Sequence, residues 1–164
     1  MAGKAVEVKL YSCDGEDFRV PSTVASRSET VKNMLEDTGE EDAVPLPNVH
    51  GRTLSLVLDF CKRLVQYEKD LQDITEDFQH GQLDDEFNAW KQDFLDIDQA
   101  VLYELIMAAN FLNVAELLDL CCKEVARLIK GKSPEEIRAY FHIKNDFTPQ
   151  EEEEVRRENQ WAFE

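Results

Sequence analysis

Positive charge is scarce in this chain: 18 Lys and Arg stand against 35 Asp and Glu among 164 residues, a formal net charge of -17. Nucleic acid and anionic membrane surfaces would be repelled, because no basic stripe offsets the field. A basic groove on a protein partner would suit it. Glycine is also sparse, and none of the six opens a G-x-G-x-x-G or G-x-x-x-x-G-K run, so the chain has no phosphate cradle of those kinds. Long apolar runs are missing too. No stretch approaches about 18 uninterrupted apolar residues, and MAGKAVEVKLYS carries no apolar signal core, so neither membrane spanning nor secretion is expected.

Residues that carry chemistry are equally thin. The three histidines sit near a turn (His50), in an acidic segment (His80) and beside a helix end (His142), and none is spaced with a cysteine or carboxylate as a nucleophile or metal site would need. They read as surface or locally bonded side chains. Cys13, Cys61, Cys121 and Cys122 lack C-x-x-C spacing and lie among apolar residues, which points to buried free thiols in a reducing compartment, with neither disulfides nor zinc. Asp96-Ile97-Asp98 resembles the start of a calcium loop, but Val101 stands where glycine is needed and Met107 where glutamate is needed. A hydrolase built on paired carboxylates remains as an enzyme reading; acidic runs are more often solvated faces. The expectation is no catalytic residue, no cofactor and no metal.

What the chain does have is periodicity. Val6, Val8 and Leu10 alternate with polar neighbours, as do Phe18 and Val20, and Asp14-Gly15 marks a hairpin turn between two half-buried strands. A helix is expected after Pro21, with Val24, Val31, Met34 and Leu35 on one face and an acidic run closing it. Val44-Pro45-Leu46-Pro47 reads as a short edge strand, since each proline removes an N–H. From Gly51, Leu54, Val57, Leu58, Cys61, Leu64 and Val65 form the stripe of a core helix. Residues 68–98 hold eleven acidic residues against Lys69 and Lys91; the part to about Asp85 lacks periodicity and reads as a flexible acidic insertion (residues 66–86), whereas Phe87, Trp90, Phe94 and Ile97 are spaced for a packed helix. Gln99 to Leu112 is apolar nearly all round, with Asp98 as cap and Asn113 as stop, and Val114 to Lys130 carries a second wide apolar band.

The last third is the most punctuated. Ser133-Pro134-Glu135-Glu136 and Thr148-Pro149-Gln150-Glu151 each place a hydroxyl at an N-cap, a proline at the first helical position and a glutamate three residues on, while Lys130-Gly131 suits a left-handed stop. Within the second helix, Glu152 with Arg156 and Glu153 with Arg157 are spaced as i,i+4 pairs, each worth about 0.3 kcal/mol. Phe141, Ile143, Phe147, Trp161 and Phe163 interrupt this polar background. Burying one such side chain is worth roughly 1.5–3 kcal/mol. Either they pack a small helical core or a partner covers them.

Taken together, Val6 to Leu10, Asp14-Gly15-Glu16, Val31 to Asp37, Val44 to Val49, Glu104 to Leu112, Ile129 to Arg138, Ile143 to Thr148 and Glu158-Asn159-Gln160-Trp161 give a sequence that resembles the Skp family, the small acidic adaptors of Skp/cullin/F-box (SCF) E3 ubiquitin ligases, and most of all its plant members. The resemblance implies an α+β fold: a BTB/POZ-type three-stranded sheet with surrounding helices over residues 1–130, and a C-terminal two-helix extension over residues 131–164. It implies a non-enzymatic adaptor in the nucleus and cytoplasm with two kinds of partner, cullin and F-box proteins, and a weak homodimer when unbound. By position, Asn110 and Phe111 correspond to the cullin-binding site; the family commonly has tyrosine at Phe111. Leu117, Leu118, Val125, Ile137, Phe141, Ile143, Asn145, Asp146, Phe147 and Trp161 correspond to the F-box-binding region. Ala139-Tyr140-Phe141-His142 and Gln150 depart from the family pattern, and residues 63–90 match it poorly. The alternative is a BTB-type structural or self-associating subunit of another assembly, kinetochore- or elongin-like.

Overall fold

The computed structural model describes residues 6–38, 43–74 and 77–162; Phe163, the end of the acidic run after Leu35 (residues 39–42) and residues 75 and 76 of the expected insertion lie outside the described residues. The chain divides into two compact units, Met1–Val125 and Ala126–Glu164.

In the first unit, β1 (Glu7–Ser12) pairs antiparallel with β2 (Asp17–Pro21) and parallel with β3 (Val44–Leu46), giving the order β2-β1-β3. Alternation turns Val8, Leu10 and Ser12 inward, and Gly15 takes the positive φ that the tight turn between β1 and β2 demands. β3 does lie at an edge, with Pro45 inside the strand and Pro47 just beyond it. The sheet is covered by α3 (Gly51–Asp73), whose Leu54, Val57, Leu58, Phe60, Cys61 and Leu64 are buried, and α3 in turn packs on α5 (Gln99–Leu112). Leu105 and Ala109 of α5 are wholly buried, and Thr53 of α3 donates to Glu104 across that contact at 3.1 Å.

Three expectations need correction. The single helix expected after Pro21 is two, α1 (Ser22–Ala25) and α2 (Glu29–Thr38). Ser28 is the break: its hydroxyl accepts from Val31 N–H as a cap and donates to the Leu112 carbonyl at 2.5 Å. The flexible acidic insertion at 66–86 is largely helical: α3 runs on to Asp73, and α4 begins at Asp77 and ends at Phe94. Tyr67 stacks on Phe87 with ring centres 4.2 Å apart and donates to Asp84, while Phe87, Trp90, Phe94 and Phe60 continue the row of rings, so aromatic packing across the two helices supplies the order that periodicity did not signal. Third, only Cys61 and Cys121 are buried; Cys13 and Cys122 are exposed.

The second unit follows α6 (Ala115–Ile129), which crosses the division, and contains α7 (Pro134–Tyr140), α8 (Pro149–Glu158) and a 3-10 turn, Gln160–Ala162. Both helices start with complete capping boxes: Ser133 accepts from Glu136 N–H while the Glu136 carboxylate accepts from Ser133 N–H, and Thr148 and Glu151 repeat the exchange. Gly131 supplies the left-handed stop, at φ 76°.

Candidate functional site

The first surface is built at the C-terminal end of α5. Helices end with carbonyls that have no partner within the helix, and each of the last four of α5 is satisfied. Asn113, in the left-handed conformation, donates its N–H to Ala109 and Asn110; the Thr30 hydroxyl donates to Phe111 at 2.8 Å and the Ser28 hydroxyl to Leu112. The start of α2 thereby fixes the end of α5, leaving Asn110 exposed and Phe111 half-buried. Along the same helix Tyr103 and Met107 also reach solvent, Met107 with 68% of its surface exposed. The helix expected to be buried on most sides therefore keeps one wet face. On α6, Leu117 and Cys121 are buried, whereas Leu118 and Val125 are half-buried and Cys122 is exposed.

The second surface lies within the second unit. Neither α7 nor α8 buries a residue completely. Ile137 and Phe141 are half-buried, and Phe141 meets Tyr140 edge to face. The segment from Phe141 to Thr148 carries no helix or strand, yet it is tied down: Ile143 N–H donates to the Arg138 carbonyl at 2.8 Å, the Asn145 side chain accepts from Phe147 N–H at 3.2 Å, and its amide donates to Glu152 at 2.7 Å. Ile143, Phe147 and Trp161 stand 54%, 52% and 77% exposed on this frame, and Asp146 is exposed as well. Asn145 thus holds the backbone geometry of this segment.

The charges of α8 do something the i,i+4 spacing did not indicate. Glu152 accepts from Arg138 of α7 at 3.1 Å, and Arg156 reaches back to Glu135, so they join the two helices. Glu135, Glu136 and Glu151 are all held below the usual glutamate range, chiefly by hydrogen bonds from helix-start backbone N–H groups.

One cluster was invisible in the sequence. Cys13 Sγ lies 3.3 Å from His50 Nδ1, which lies 3.9 Å from Asp14 Oδ2, although His50 is 37 residues from Cys13 along the chain. The only sequence signal was the turn at Asp14-Gly15.

Comparison with known proteins adds two matches that together span most of the chain. Residues 6–66 match the description "Skp1 family, tetramerisation domain" and residues 115–162 match "Skp1 family, dimerisation domain". Over 98% of its length the chain is 53% identical to SKP1-like protein 1A of Arabidopsis thaliana, covering 99% of that protein. It is 48% identical over 95% of its length to the E3 ubiquitin ligase complex SCF subunit sconC of Talaromyces marneffei, covering 96% of it. With the SCF ubiquitin ligase complex protein SKP1b of Dictyostelium discoideum it shares 49% identity, each chain covered over 94%.

Proposed function

We propose a division of labour between two surfaces, on the premise that the chain belongs to the Skp1 family. It is the adaptor subunit of an SCF E3 ubiquitin ligase, as the names of its relatives suggest, and it works without covalent chemistry of its own. The end of α5, with Asn110 and Phe111, takes a cullin scaffold. Leu117, Leu118 and Val125 on α6 and Ile137, Phe141, Ile143, Asn145, Asp146, Phe147 and Trp161 in the second unit take F-box proteins. Holding a substrate receptor on the scaffold raises the local concentration of substrate at the ubiquitin-transfer machinery, which is catalysis by proximity. Nucleus and cytoplasm are the compartments proposed for it.

The observation that carries this reading is the exposure of Ile143, Phe147 and Trp161 on a segment whose backbone is already hydrogen-bonded. Large apolar side chains on a prearranged frame suit a partner, since little conformational entropy remains to be lost on docking. The test is a paired pull-down. Phe111→Lys is expected to abolish cullin binding while F-box binding persists; loss of both in a folded variant would contradict the separation of surfaces. Failure of the native chain to bind either partner, with a stable homo-oligomer by mass measurement, would favour a structural subunit instead.

A further inference from the structure

We propose that Cys13, Asp14 and His50 form a binding site for a borderline transition-metal ion such as Zn2+. Their three donor atoms all lie within 4.8 Å of one another, and all three side chains are exposed. A tetrahedral Zn2+ with bonds of about 2.3 Å to sulfur and about 2.0 Å to nitrogen and oxygen sets donors roughly 3.3–3.6 Å apart. The Sγ to Nδ1 distance of 3.3 Å falls in that range, and the Nδ1 to Oδ2 distance of 3.9 Å needs to close by about half an ångström. Thiolate, imidazole and carboxylate together favour zinc-like ions over Ca2+ or Mg2+, which prefer all-oxygen shells. The fourth position faces solvent and would hold water.

The supports of these residues are already in place. Asp14 Oδ1 accepts from the Ser12 hydroxyl at 2.6 Å and from Gly51 N–H at 2.8 Å, which leaves Oδ2 turned toward the imidazole. Cys13 N–H donates to the Val49 carbonyl at 2.9 Å, and the His50 carbonyl accepts from Leu54 N–H at 2.8 Å. Such outer hydrogen bonds orient ligands before an ion arrives. On coordination the Cys13 thiol proton passes to the buffer and the thiolate sulfur and Nδ1 lone pairs bind the ion, with no change of oxidation state. Cys61 and Cys121 do not compete, since burial pushes both thiols up to about 12. Cys122 is the other exposed thiol.

The experiment is titration of the reduced, metal-free full chain with CoCl2, followed by absorbance and then by displacement with ZnCl2. One equivalent of Co2+ is expected to give a thiolate-to-cobalt charge-transfer band that Zn2+ removes. Cys13→Ser should abolish the band, Cys122→Ser should keep it, and His50→Asn should weaken binding at least about tenfold. His50 is the N-cap of α3, a position that asparagine favours, so His50→Asn still decides the matter if Cys13→Ser disturbs the turn. Absence of a band in the native chain, a band that survives Cys13→Ser or is lost in Cys122→Ser, or affinity unchanged in His50→Asn would each overturn the site.

Discussion

In the unit up to Val125, Val8, Leu54, Leu105 and Leu117 are sealed from water, and hydroxyls such as Ser28 serve carbonyls far along the chain. In the unit after it, α7 and α8 bury no residue fully; the order visible there comes from two capping boxes, the Arg138–Glu152 and Arg156–Glu135 pairs and the hydrogen bonds of Asn145. The first arrangement draws on burial, at about 25 cal/mol per Å² of apolar surface, and the second on exposed contacts that are individually weak. The contrast teaches where apolar surface was spent. The second unit leaves Ile143, Phe147 and Trp161 largely in water, as the docking role proposed for it requires.

That contrast can be broken most forcefully in the first unit. Leu105→Ala should cost about 2–5 kcal/mol of stability by urea denaturation, because a fully buried leucine leaves a cavity that its neighbours cannot fill. A cost below about 1 kcal/mol would mean that α5 is not the core helix described. Next in size, Trp161→Ala should weaken binding of an F-box peptide by about 2 kcal/mol or more by calorimetry, yet change unfolding free energy by less than about 0.5 kcal/mol. A large stability loss would place Trp161 in an intrachain core and erase the difference between the units. Smaller again, Thr148→Ala should destabilise α8 by about 1 kcal/mol, read as faster amide exchange in residues 149–158.

The gentlest probe is acid. The carboxylates of Glu136 and Glu151 have folded values below their ordinary 4.5, because the charged form accepts helix-start N–H groups. Their contribution is therefore fully present above pH 4.5 and is lost as pH falls through the lower folded values. The protection of α7 and α8 amides, exchange taken relative to its intrinsic rate at each pH, should fall over that window, and Glu136→Gln with Glu151→Gln should flatten the dependence. An unchanged pH profile in the double variant would show that the capping carboxylates do not carry it.

The sequence was most readable where structure is local. The starts at Ser133 and Thr148, the stops at Asn113 and Gly131 and the alternation of β1 depend on residues within a few positions of each other, so their chemistry can be read in a short window. The resemblance that named candidate site residues was likewise carried by contiguous motifs. Reading failed where the deciding partner was distant. The break at Ser28 answers the carbonyl of Leu112, the helical order of α4 ahead of Phe87 goes with the rings of Tyr67 and Phe60 on α3, and the ion pairs of α8 answer Arg138 and Glu135 in α7.

By itself, then, the sequence determined the acidity, the helix punctuation and the presence of large apolar residues in the tail, since each is a property of composition or of neighbouring residues. Tertiary structure alone decided which of those apolar residues are spent in packing, and brought Cys13 and Asp14 beside His50. The reason is physical: burial and ligand geometry depend on distances through space, and a turn bonded to the start of α3 shortens a separation of 37 residues to 3.3 Å.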